Sequence, residues 1–393
     1  MRVPEVLDVA IVGAGPYGIS LGLMLKHRGV GFRVFGPPMK TWRDGMPKGM
    51  DLKSEGYAST IFDPSGKTLE SYCKEVGHEY RHVAWPVPLK LFCEYGMDCY
   101  ARLRDSADSR NVQRVEQIDG TYRLTFDDDS QVDARRVVVA AGITHFAAVP
   151  EQFQGFSSEL VSHSSEHHEL GGFRGKEMLV IGAGASAIDL AVLGAESGVN
   201  VTMVCRGDIE WNIKRNEPRS LYEKIRWPES CMAPGIRSCL YEKSPMSFKV
   251  LPAKYRDKIA REFAGPSGGW SVRERFEELV PTLEQTRVEG LAASKGRLSV
   301  KLTKADGTRI EREVDHVVCA TGFHADVARL EFLSKGIRDR IATVYGSPVL
   351  DNRYQSTVEN LFFVGKASAL TFGPLMRFVC GTEYASKRLG RSL

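Results

Sequence analysis

Two stretches decide the fold: Ala10–Gly22, AIVGAGPYGISLG, and Leu179–Ala191, LVIGAGASAIDLA. Each runs an apolar strand into a glycine-rich turn and then into a helix of small residues. In the first turn, Gly13 permits the sharp strand-to-helix reversal, Gly15 lets a pyrophosphate approach the backbone, and Gly18 lets helix and strand pack closely. Pro16 and Tyr17 open the helix, whose free N–H groups and positive dipole end face the phosphates. The strand to about Val12, the helix to about His27 and the next strand, GFRVF at 31–35, make one βαβ unit, the setting such a fingerprint requires. The second turn, Gly182-Ala-Gly184-Ala-Ser186-Ala187, carries alanine in place of the third glycine and lies in the same setting. The fold class expected is α/β, with two Rossmann-like (doubly wound, βαβ) dinucleotide-binding domains, the second inserted in the first.

The bulk numbers agree. At 393 residues the chain exceeds a single-core domain, and 38 glycines suit a fold with many tight βα turns. A net charge of +4 without long basic runs does not suggest a nucleic-acid partner, although a local anion pocket is compatible with it. Apolar runs such as VVVAAG at 137–142 are too short to span a bilayer, and MRVPEVLDVAIVGAG leads straight into a strand. A cytoplasmic protein with no membrane partner is expected, with a homo-oligomer left open. The eight cysteines, at 73, 93, 99, 205, 231, 239, 319 and 380, form no C-x-x-C and no metal spacing, and all are expected to be reduced. Dithiol chemistry is thereby disfavoured.

Along the chain, helices are expected at 69–76 and 89–104, and strands at 112–118, 121–126 and 131–139. Residues 143–176 read as a connector with little periodicity. Strands resume at 285–291, 297–303, 308–314 and 316–323, and LFFVG (361–365) precedes a final helix at 375–389. The expected domains are 1–150 as the first part of an FAD unit, 151–314 as an NADPH unit, and 315–393 as the return of the FAD unit. A partly helical insertion at about 207–281, with Trp211, Trp227 and Trp270, is expected to cover the substrate.

The copies differ where the adenosine ribose is read. The first unit's second strand ends Val34-Phe35-Gly36-Pro37 without a carboxylate, so its ribose contact stays unassigned. The second ends Val204-Cys205-Arg206, and an arginine there suits a 2′-phosphate, favouring NADPH. A solvated Arg206 is the bland alternative, and Asp208 is the residue that could overturn the preference.

Together these residues resemble the class B flavoprotein monooxygenases, which include the flavin-containing monooxygenases, the Baeyer–Villiger enzymes and the ornithine/lysine N-hydroxylases. Thr41-Trp42-Arg43 with Gly45-Met46 resembles the loop after the FAD unit, and Leu361–Gly365 the strand beside the flavin. Val139-Ala140-Ala141-Gly142 and Cys319-Ala320-Thr321-Gly322-Phe323 resemble the two turns where the domains connect. The motif between domains is partly kept: Phe153-Gln154-Gly155 is followed by His163, and His167 stands where an aromatic is usual. That departure argues against a typical Baeyer–Villiger enzyme, and Gly49–Ser54 leans toward the N-hydroxylases.

The resemblance implies bound FAD, NADPH as reductant, and one oxygen atom from O2 inserted into a small organic substrate through a C4a-(hydro)peroxyflavin. N-, S- or ring oxygenation is expected ahead of Baeyer–Villiger chemistry. It implies cofactor contacts at Gly13, Gly15, Pro16, Tyr17, Gly18, Trp42, Ala141, Gly142, Gly182, Gly184, Ser186, Ala187, Arg206, Thr321, Gly322 and Gly365. Trp42 is expected at the flavin edge or in ordinary interface packing. Asn212 is a nicotinamide or pocket contact or a turn residue, and Arg377 holds reduced flavin or an anionic substrate or caps the last helix. His163 is expected to orient the linker. His163, His167 and His168 lack a fourth ligand, so no metal is expected. The alternatives are a flavin-dependent reductase without dithiol chemistry and a non-catalytic nucleotide sensor.

Overall fold

The computed structural model describes residues 6–214, 219–263 and 265–393; residues 1–5, and positions 215–218 and 264 of the expected insertion, lie outside the described residues. Its two halves are organised around parallel sheets. In the first, the strand Leu7–Val12 lies between Phe32–Phe35 and Gln131–Val139, both parallel to it. Leu361–Phe363 adds in parallel to the far end of Gln131–Val139, and Ala107–Asp108 adds outside Phe32–Phe35. An antiparallel meander, Val112–Ile118 and Thr121–Phe126, pairs with the near end of Gln131–Val139. The apolar runs fit this arrangement because a parallel strand is covered on both faces: Val9, Ala10, Ile11, Val137 and Val138 are fully buried.

The second sheet is wholly parallel, in the order Thr282–Leu283, Asn200–Val204, Glu177–Ile181, His316–Cys319 and Val161–His163. Because Leu361–Phe363 rejoins the first sheet after this one is complete, the second unit is inserted in the first. A three-stranded antiparallel meander (Thr286–Ser294, Arg297–Lys304, Arg309–Val314) flanks it.

Four expectations need correction. The stretch 143–176 is more than a connector: Val161–His163 is an edge strand, three residues long and too short to show a period. His316–Cys319 belongs to the second sheet, so the return to the first unit begins after Cys319 rather than at 315. The final helix is Gly381–Leu389, preceded by a separate 3-10 turn at Pro374–Arg377, because Phe378 takes an extended conformation (φ −114°, ψ 156°) between them. The helix starting at Leu89 ends at Ala101. In the insertion the described helices are Leu221–Arg226, Ile236–Lys243, Ala253–Glu262 and Arg273–Leu279. No helix among the described residues is long and apolar enough to cross a membrane.

Candidate functional site: a cavity between two glycine turns

Both turns take the backbone course their glycines allow. Gly13 has φ +115°, and a Cβ there would sit 2.3 Å from the Ala140 carbonyl oxygen. Gly182 has φ +146°, with the Ala320 oxygen 2.4 Å from the same hypothetical atom. Gly15 differs in kind, because nothing lies within 4 Å of its would-be Cβ. The space left open faces the N-terminus of the helix Pro16–His27, which has no side-chain cap and no acid in its first turn. The helix Ala185–Glu196 starts in the same way at Gly184, again without a side-chain cap or a first-turn acid. Two uncapped helix ends beside stripped backbone fit two dinucleotide pyrophosphates.

A single cavity of about 2020 Å³ lies at the carboxyl ends of both sheets. A typical one-ligand pocket holds about 300–1,000 Å³, so there is room for two nucleotides and a small molecule. Gly13, Gly15, Pro16, Tyr17, Trp42, Ala141, Gly142, Ser186, Asn212, Gly365 and Arg377 line it. Gly18, Gly182, Gly184, Ala187, Thr321 and Gly322 are not among its lining residues. Arg206 also lies outside it, exposed just beyond the strand Asn200–Val204, while Asp208 accepts a 2.8 Å hydrogen bond from Gln285 Nε2.

Trp42 both lines the cavity and packs edge-on against Phe92, ring centroids 4.7 Å apart. Asn212 is more than a turn residue: its N–H donates to Gly268 O at 2.9 Å, and its Oδ1 accepts from Ser267 Oγ at 3.0 Å. Ser267 in turn accepts from Lys53 Nζ, at 2.9 Å on Oγ and 3.0 Å on its carbonyl. This chain ties the loop after the first unit to the insertion. Arg377 does not cap the last helix; its Nη1 donates to Phe263 O at 3.0 Å.

Further charged residues line the cavity, among them Lys53, Asp189, Lys366 and Arg329, together with the carboxylates of Asp44, Glu55, Glu223 and Glu331. Burial, reinforced by the charge of Asp51 and opposed by Lys53 and Arg275, raises the Asp189 carboxyl to about 7. Burial lowers Lys366 to about 7, and Arg377 and Arg261 push it the same way. Both could have been noticed in the sequence. Asp189 is the one charged residue in ASAIDLAVLGA, and Lys366 directly follows LFFVG.

The histidines serve the hinge between units. His163 Nε2 donates to Gly322 O at 3.1 Å, while Nδ1 accepts from the Ser165 N–H at 3.2 Å. Burial lowers its pKa, so this neutral tautomer is the one the hydrogen bonds require. His167 Nε2 and His316 Nε2 flank Ser162 Oγ at 2.6 and 2.7 Å, and His168 Nδ1 donates to Met46 O at 2.6 Å. The three histidines near 165 thus point to separate partners. No cluster of metal-ligating side chains occurs among the described residues.

The cysteine expectation is overturned at one pair. Cys231, on the cavity wall, is disulfide-bonded to Cys380, 149 residues away, with Cα atoms 6.3 Å apart. Such a pair joins the insertion to the segment before the last helix, and no spacing in the sequence reports it. The other six cysteines are free.

Known proteins share this architecture. A family model described as pyridine nucleotide-disulphide oxidoreductase matches residues 106–225. The chain superposes on an ornithine N-hydroxylase from Kutzneria sp. 744, solved with reduced FAD, NADP+ and L-ornithine, with a TM-score of 0.76 at 16% identity over 99% of both chains. The chain has the fold of the class B flavoprotein monooxygenases. The same fold extends to a bacillithiol disulfide reductase from Staphylococcus aureus (TM-score 0.67, 14% identity, 99% and 98% covered). In sequence, a probable indole-3-pyruvate monooxygenase of Arabidopsis thaliana is 25% identical over 83% of this chain and 78% of its own. A ferredoxin–NADP reductase of Symbiobacterium thermophilum is 26% identical over 52% of this chain, which spans only 55% of that relative.

Proposed function

We propose that the protein is an FAD-dependent monooxygenase that consumes NADPH and transfers one oxygen atom from O2 to a small organic substrate. One observation carries this reading: both uncapped fingerprint helices open into the same cavity, so a reductant on the second and a flavin on the first meet beside a common space. FAD would supply electron transfer and oxygen activation, and NADPH the hydride. The chain's part is to bind, align and exclude water. The Gly13–Tyr17 turn would hold the flavin nucleotide, with Trp42 and Gly365 lining the same space; the Ala185–Ser186 helix start would hold the reductant, and Arg206, exposed beyond the strand Asn200–Val204, would be the cation for a 2′-phosphate. Lys53, Ser267 and Asn212 clamp the insertion over the cavity. Asp189 keeps a proton at its carboxyl up to near pH 7, on the wall nearest the second nucleotide. N-, S- or ring oxygenation remains ahead of Baeyer–Villiger chemistry.

The Cys231–Cys380 pair favours a second reading, a reductase acting through a disulfide, and the likeness to a disulfide reductase agrees with it. It also removes one support for a cytoplasmic location, the expected reduced thiols. Incubating the flavin-loaded protein with NADPH and 18O2 across amines, sulfides, ketones and heteroaromatic compounds separates the readings. Labelled product from one of these, retained in Cys380→Ser, supports the monooxygenase. NADPH oxidation without any labelled product, lost in Cys380→Ser, rejects it in favour of the reductase.

A further inference from the structure

The cavity wall made by the C-terminal segment carries more positive charge than it neutralises. Lys366 lies just past the strand Leu361–Phe363, and Arg377 ends the turn Pro374–Arg377; both face the cavity. Among the described residues Lys366 Nζ has neither a hydrogen-bond nor an ion-pair partner. Arg377 donates only to a neutral carbonyl, Phe263 O. The nearby carboxylate, Asp257, is already bound to Arg261 Nε at 2.8 Å. On the other side Arg377 is close enough to Lys53 to disfavour its charge, and Lys53 has Asp189 as its counter-charge. A half-buried cation without a counter-ion is costly. Turned into one cavity, Arg377, which is charged, and Lys366, which takes up its proton fully when an anion pairs with it, make a built receptor for an anion.

The place of this pair separates it from the phosphate sites. Those lie at the two glycine turns, each with its own helix N-terminus. Lys366 and Arg377 instead sit where the insertion packs on the first unit: Arg256 Nη1 donates to Leu370 O at 3.0 Å, and Phe263 ends the helix Ala253–Glu262. Phe323, Phe332 and Phe378 add apolar wall to the same cavity. Charge at one end and aromatic surface nearby suit an organic acid with an apolar body.

We propose that Lys366 and Arg377 bind the carboxylate of the substrate, which is therefore an organic acid. The proposal rests on the cavity being the substrate site of the oxygenation reaction. The carboxylate lies under the insertion and bridges Lys366 Nζ to the Arg377 guanidinium. The substrate's apolar body runs along the phenylalanines toward the flavin. A neutral analogue of the same shape leaves both cations unpaired and binds more weakly.

The test uses flavin-loaded protein and two matched probe pairs, 3-phenylpropanoate with 3-phenylpropanamide and benzoate with benzamide, followed by the change they cause in the visible flavin spectrum. In the wild type each acid is expected to bind at least about 10- to 100-fold tighter than its amide, the range for one charge-assisted hydrogen bond. Lys366→Met and Arg377→Met should each abolish that preference while leaving amide binding unchanged, and Lys366→Arg should restore most of it. Flavin content and near-UV circular dichroism show that the variants are folded. The preference should persist with NADP+ saturating; its loss there would mean that the cations hold a nucleotide phosphate, and would overturn the proposal. Equal binding of acid and amide, binding of neither, or variants that shift the flavin midpoint potential without touching the preference would overturn it too. Failure to form an oxygenated product from an acid that binds would instead count against the monooxygenase reading and leave the carboxylate site standing.

Discussion

Positions 18 and 187 occupy the same place in two copies of one turn, yet they tolerate different residues. A Cβ on Gly18 would lie 1.9 Å from the Gly13 carbonyl oxygen, so the first helix rides directly on its strand. At 187 an alanine is already present and fully buried, and its Cβ lies 3.4 Å from the point where a Cβ on Gly182 would fall. The first turn is closed down to backbone contact; the second keeps a methyl group of slack.

The strongest way to break this comparison is Gly18→Ala. We expect more than about 3 kcal/mol of lost stability and a protein that purifies without its flavin, read by thermal melting and visible absorbance. A yellow protein with an unchanged melting temperature would show that the first turn has the same slack as the second. Arg206→Ser should come next. Losing a charge-assisted contact to a 2′-phosphate is worth about 1.5–3 kcal/mol, so the preference for NADPH over NADH in kcat/KM should fall by about 10- to 100-fold. An unchanged preference would make Arg206 a solvated strand-end residue.

Asp189 sharpens the comparison from inside the second helix. Its native carboxyl holds a proton to about pH 7, because burial raises it, while the unfolded chain releases that proton near 3.9. Between those values the native state binds more protons, so the stability from this group is complete below about pH 4 and is lost as pH rises through 7. The melting temperature of the wild type should therefore drop relative to Asp189→Asn across pH 4–7, and parallel curves would refute the shift. The smallest effect is expected for Ala187→Gly, about 1 kcal/mol from backbone freedom alone, with NADPH binding retained.

Much of the fold was legible because its signals are local. The glycine spacing, the apolar runs and the turn residues each act within a few positions, and they place both βαβ units and the insertion. Val161–His163 was not legible, since a three-residue edge strand is defined by its partner His316–Cys319 rather than by its own pattern. The site divides in the same way. Gly13, Gly15 and Gly142 follow from turn chemistry, but the Cys231–Cys380 link and the Lys53–Ser267–Asn212 chain join residues 149 and more than 150 positions apart. Lys366 and Asp189 stood in plain view within motifs, and only burial shows that their charges matter.

The return of the chain to its first sheet has a consequence for how the protein is made. Leu361–Phe363 pairs with Gln131–Val139, and Ser386 Oγ meets Ser20 Oγ at 2.9 Å under the first helix. On a ribosome the second sheet has all five strands once residue 319 has emerged, and it can fold as a finished unit. The first must wait, on the order of seconds at about 5–20 residues per second, with the Val137–Val139 edge of Gln131–Val139 unpaired beyond the meander. During that interval the second glycine turn already stands in a finished sheet, while the first still lacks its last strand.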